Sequence, residues 1–101
     1  MGTLQYGSAR YELDDDTLHH FAAVATSKLR RDEPFLVLVR ADDTGLERIW
    51  LHSAVTLRIE TQSSQQPLDR GRLEHMVRDA SRPSGLDLWT PWHAPTAAAR
   101  A

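Results

Sequence analysis

The chain has 101 residues, no cysteine and a formal net charge of −2. That leaves room for one domain and excludes disulfides, thiol chemistry and thiolate metal sites, and it gives no overall positive field to draw in nucleic acid. Lys28 is the single lysine beside eleven arginines, and no apolar run approaches the roughly 20 residues of a membrane-spanning helix.

Residues Met1 to Asp16 hold neither a basic stretch nor an apolar run, so no secretory signal is predicted. Leu4-Gln5-Tyr6 and Ala9-Arg10-Tyr11-Glu12-Leu13 alternate apolar with polar residues around Gly7-Ser8, the pattern of a tight hairpin. Asp14, Asp15 and Asp16 then supply a cap and negative charge where a helix begins. The spacing of Leu18, Phe21, Ala22, Ala25 and Leu29 predicts a helix from Thr17 to Arg31, closed by Lys28, Arg30 and Arg31 at the end its dipole prefers.

Phe35 to Val39 is apolar at every position, as a central strand buried on both faces should be. Asp42-Asp43-Thr44-Gly45 reads as a turn, and Leu46 to His52 and Val55 to Thr61 as two further strands of a meander. In the second of these, Val55, Leu57 and Ile59 alternate with Thr56, Arg58 and Glu60, the pattern of a sheet with one wet face. A polar loop from Gln62 to Gln66 precedes a second helix from Leu68 to Ser81. Asp69 is its cap, and Leu73, Met76, Val77 and Ala80 form its apolar stripe. Arg82-Pro83-Ser84-Gly85 stops that helix, and Leu86 to Trp89 returns as a last strand. Residues 1–90 are therefore predicted to form one α+β domain, and 91–101 a flexible tail rich in proline and alanine. The expected architecture has two layers, with both helices on one face of a mainly antiparallel sheet.

Catalytic and metal patterns are missing from the sequence. His19 and His20 are neighbours on a helix and point about 100° apart, while His52, His75 and His93 fall on separate elements. His75 and Asp79 are one helical turn apart, a spacing common on solvated faces. The aspartate run 14–16 lacks the alternating ligands and turn glycine of a calcium loop. No nucleophile elbow or phosphate-binding glycine loop occurs. The expectation is a non-enzymatic protein without cofactor or metal.

Two surfaces are candidates for binding. The wet sheet face would present Arg48, Trp50, Arg58 and Glu60 to a protein partner, since exposed tryptophan beside arginine is a common interface anchor, or the chain would pair through its own sheet edge as a homodimer. Lys28, Arg30, Arg31 and Arg40 form the densest basic set and are the candidate nucleic-acid contacts. Phe21 and Phe35 are core by periodicity and Trp89 is expected to join them; Trp50 could lie on either side of its strand. A cytoplasmic, soluble protein that does not contact a membrane is the matching expectation.

The segments Met1-Gly2-x-Leu4-x-Tyr6-Gly7-Ser8, Asp16-Thr17-Leu18, Ser27-Lys28-Leu29-Arg30-Arg31, Pro34-Phe35 and Ile49-Trp50-Leu51-His52 together resemble a family of bacterial proteins of about 100 residues from actinobacteria, over residues 1 to 89. The chain departs from that family at Ser53, where a proline is usual, and at Arg72, where an aromatic residue is usual. Members often carry the label ATP-dependent DNA ligase. A ligase nucleophile sits in a Lys-x-Asp-Gly setting, whereas Lys28 is followed by Leu29-Arg30-Arg31. The resemblance thus implies at most a nucleic-acid accessory role, as the alternative to protein binding.

Overall fold

A computed structural model describes residues 1–40, 45–62 and 67–90. The expected turn at 42–44, most of the polar loop and the tail at 91–101 lie outside the described residues. The elements run β1 (Gly2–Tyr6), β2 (Ala9–Leu13), α1 (Asp15–Arg30), β3 (Phe35–Arg40), β4 (Leu46–Leu51), β5 (Leu57–Glu60), α2 (Arg70–Ala80) and β6 (Leu86–Asp87). The class is α+β with mostly antiparallel pairing.

The strands form two sheets of three rather than one, ordered β2-β1-β5 and β4-β3-β6. β1 and β2 make the expected hairpin, with Gly7 at φ +61°. That conformation costs glycine nothing and suits the first position of a type II′ turn. The meander is corrected at its last step: β5 pairs antiparallel with β1, not with β4. The reason lies at the end of β4. The Tyr6 hydroxyl donates to the Trp50 carbonyl (2.9 Å) and accepts from the His52 N–H (3.1 Å), which uses the edge groups a next strand would need. The chain then crosses to the open side of β1, where the Gly7 N–H donates to the Thr56 carbonyl at 3.1 Å. β6 is short and parallel to β3, pairing Val37 with Leu86 and Leu38 with Asp87. Gly85 precedes it at φ +85°, and a Cβ there would sit 2.7 Å from the Leu36 carbonyl oxygen, so the close approach of β6 to β3 requires glycine.

α1 begins where the charge pattern places it. Asp14 is the N-cap, accepting from the Thr17 N–H (3.0 Å) and the Thr17 hydroxyl (2.7 Å). Its C-terminus is a Schellman motif: the Asp32 N–H donates to the Leu29 carbonyl and the Glu33 N–H to the Lys28 carbonyl, with Asp32 left-handed at φ 57°. Ser53 donates to the Asp32 carboxylate at 2.9 Å and ties this loop to the end of β4. α2 is capped by Asp69, which accepts from the Arg72 N–H. The two helices pack on each other, α1 touching β1 and α2 touching β3 and β6. One core runs through all of these elements, built on Leu4, Leu18, Phe21, Phe35, Val37 and Leu86.

The buried face of α1 is rotated from the expected stripe. Val24 and His20 are buried, while Ala22 and Leu29 are only partly so. His20 explains the rotation. At 1% exposure its Nε2 accepts from the Asp69 N–H (2.8 Å), so the proton lies on Nδ1, which donates to the Asp16 carbonyl (2.8 Å). A neutral imidazole thus joins the first turn of α1 to the cap of α2. Arg72 makes a second join, donating from Nη1 to Asp16 (2.7 Å) and from Nη2 to the Thr17 hydroxyl (2.8 Å).

Truncating His20→Ala should cost about 3 kcal/mol, the sum of a cavity and an orphaned Asp69 N–H. His20→Gln, which can still accept at that point, should lose less, and urea unfolding of both variants measures the difference. Tyr11 gives a second expectation. Burial, then the hydrogen bond and the charge of Glu47, push its hydroxyl from 10.0 up to about 12. The folded state holds this proton more tightly than the unfolded state, so the contribution is intact below pH 10 and is lost as pH rises towards about 12. Tyr11→Phe should flatten the fall in melting temperature over that interval.

Candidate interaction surface

Strand alternation sorts the side chains of the second sheet into two faces. Phe35, Val37, Val39, Ile49, Leu51 and Leu86 point into the core. The opposite face carries Leu36, Leu38 and Arg40 from β3, in register with Trp50, Arg48 and Leu46 from β4. Here Trp50 is 63% exposed and Leu46 is 52% exposed. Leu36 and Leu38 fill the middle of the row, being buried and half-buried. The result is a face with an apolar spine and arginines along it.

Trp89 extends this face, correcting its expected place in the core. β6 ends at Asp87, whose carboxylate accepts from the Trp89 N–H (2.8 Å), the Thr90 N–H (3.0 Å) and the Thr90 hydroxyl (2.7 Å). This turn throws the indole outward, where it is 45% exposed beneath the Arg40 guanidinium, 5.3 Å from the ring centre. Burial acts to raise the Asp87 carboxyl, but the Thr90 and Trp89 bonds outweigh it and hold the group below the usual carboxylate range. The turn is therefore firmly charged at neutral pH.

The four residues expected on one protein-binding face divide between the sheets. Arg48 and Trp50 lie together on the outer face of β4. Arg58 and Glu60 lie on β5, on the polar outer face of the first sheet, where Arg10-Gln5-Arg58 and Glu12-Thr3-Glu60 form two rows. The basic set divides as well. Lys28 is largely buried, ion-paired with Glu33 (3.6 Å) and donating to Ser81 (3.1 Å). Arg30 and Arg31 are exposed at the end of α1. Arg40 sits at the other end of β3, about 17 Å along the strand from Phe35.

Concavities among the described residues also lie outside these faces. A cleft of about 150 Å³ gathers Thr17, Arg72, His75, Asp79 and Asp87. The His75 Nε2 lies 3.1 Å from the Asp79 carboxylate, and Arg82 reaches the same carboxylate at 3.4 Å. Small-molecule sites usually exceed about 300 Å³, and both terminal nitrogens of Arg72 are held by α1. Among the described residues no three histidines or carboxylates are grouped to hold a metal. The second concavity is an open apolar groove of about 370 Å³ between α1 and β5. The sequence reading missed it because it depends on which strand β5 joins. No described helix is long and apolar enough to cross a membrane.

Because Trp50 and Leu46 are held outside the core, Trp50→Ala and Leu46→Ala should each shift unfolding free energy by no more than about 0.5 kcal/mol. A denaturant titration checks this, and agreement would make both variants clean probes of binding.

A family model described as a domain of unknown function, DUF7882, matches residues 1–91. No curated protein and no solved structure matches the chain.

Proposed function

We propose that this chain, which belongs to the DUF7882 family, is a non-enzymatic protein-interaction module working through the outer face of β4-β3-β6. The observation that carries the proposal is the exposure of Trp50, Leu46 and Trp89 around one half-buried leucine row, flanked by Arg48 and Arg40. A contiguous apolar face of this kind marks an interaction site more often than it marks accident. Its composition is also that of binding hot spots, where tryptophan and arginine are enriched. Rigidity adds to the fit: β3 is fixed by strands on both sides, and Asp87 locks the turn that presents Trp89. In this reading the partner is a protein with a complementary apolar patch and acidic rim, met in the cytoplasm.

Resemblance to actinobacterial proteins labelled as ligases supplies the competing view, a nucleic-acid accessory domain. It draws less support, since Lys28 is already paired and Arg40 lies at the far end of β3 from Arg30 and Arg31.

Photo-crosslinking in the source cells tests the proposal. A crosslinker replacing Arg48 should trap a discrete protein that one replacing Glu12 does not, and the purified partner should bind Trp50→Ala at least about tenfold more weakly than the native chain. Equal products from both positions would reject this surface. Binding to duplex DNA that falls steeply with salt and survives Trp50→Ala would favour the accessory view instead.

A further inference from the structure

The groove beside β5 runs along a strand edge. Ladder hydrogen bonds alternate in direction along an antiparallel pair. Since the Gly7 N–H donates to the Thr56 carbonyl, Arg58 and Glu60 also direct their backbone groups to β1. Leu57 and Ile59 therefore direct theirs away from it, and no described strand lies on that side. Their side chains line the groove with Ala22, Thr26 and Leu29 of α1. An unpaired strand edge next to an apolar trough can accept one more strand.

We infer that β5 pairs antiparallel with β5 of a second copy, about a two-fold axis through Ile59, to give a six-stranded sheet across a homodimer. Charge selects both the occupant and the register. With Ile59 opposite Ile59, each Arg58 faces Glu60 of the other copy, in the type of pair where side chains approach most closely. A two-fold at Arg58 would set arginine against arginine, and one at Glu60 glutamate against glutamate. A two-fold at Leu57 would oppose Arg58 to Thr56 and gain no charge pair.

On the inner side, the two grooves merge between α1 and its symmetry mate. Ala22 and Thr26 are small enough to let the helices approach, and the partial exposure of Leu29, Leu57 and Ile59 is removed. β2, the other edge of this sheet, is placed differently: its Tyr11 hydroxyl reaches across to Glu47 of β4. This association is independent of the Trp50 face and leaves it free.

Sedimentation equilibrium from micromolar to millimolar chain, at low salt, is the test. The native chain should show a monomer–dimer equilibrium with no larger species. Arg58→Glu alone and Glu60→Arg alone should each weaken the dimer about tenfold or more, and the double exchange should restore it, while Trp50→Ala leaves it unchanged. Urea midpoints confirm that the exposed substitutions leave the fold intact. Overturning results are a monomer at every concentration, a dimer indifferent to the single charge reversals, failure of the double exchange to restore it, or loss of the dimer in Trp50→Ala. A monomer whose β5 amides gain exchange protection only with another protein would assign the edge to that protein and also overturn the inference.

Discussion

The fold depends on a polar contact inside an apolar core. His20, almost without exposure, spends one ring nitrogen on the backbone of each helix, and Arg72 crosses beside it to Asp16 and Thr17. Polar groups removed from water are costly unless every one is answered, so these bonds tolerate little displacement. They therefore fix one helix start against the other. Because α1 packs on β1 and α2 on β3 and β6, that local constraint also sets the relative position of the two sheets. The hydroxyls of Tyr6 and Tyr11 make the corresponding joins from the first sheet to β4. Each sheet alone has three strands, near the lower limit for independent stability, so these ties matter.

Local chemistry made much of this legible. Asp69 was readable as a cap, and the run Asp14 to Asp16 as holding one, because a carboxylate ahead of a periodic apolar run has few other uses. The hairpin followed from Gly7-Ser8 between alternating runs, and β3 from an unbroken apolar stretch. Strand neighbours were another matter. Alternation in Val55–Glu60 tells which side chains are wet, yet it is silent about which strand lies alongside. That choice was made by the Tyr6 hydroxyl closing the end of β4, a contact spanning more than forty residues of sequence. Trp89 was misplaced for a similar reason. Its apolar character argues for the core, but the Asp87 turn decides its direction and costs only local hydrogen bonds.

The candidate surfaces were legible as residue types and illegible as constellations. Arg48, Trp50, Arg58 and Glu60 are all exposed, a point left open for Trp50, but a single sheet was assumed to hold them together. Dividing the sheet divides the surface into two with different physics. The β4-β3-β6 face is apolar with arginine flanks and suits a partner that brings its own desolvated patch. The outer face of β2-β1-β5 is charged in alternating rows and is best used for register rather than for affinity. The rotation of α1 belongs to the same account. Seating His20 in the polar junction turns Ala22 and Leu29 towards β5 and leaves the groove there unfilled.

Two three-stranded sheets have four edges, and their fates differ. β4 is closed near its end by Tyr6, which occupies the carbonyl of Trp50 and the N–H of His52. β6 contributes only two residues, too few to template another strand. β2 stands on the side where Tyr11 reaches to β4. β5 has neither proline nor lysine to discourage pairing, and its four residues set one arginine and one glutamate two positions apart. That spacing is self-complementary only when the strand is reversed upon itself about the residue between them. A strand edge left open beside an apolar groove is a hazard in a free monomer, where unrelated edges can add to it. Reversal through Ile59 removes the hazard by covering both edges in one closed, two-fold step, whereas pairing of β5 with a different edge would leave the β5 of each newly added copy open and propagate.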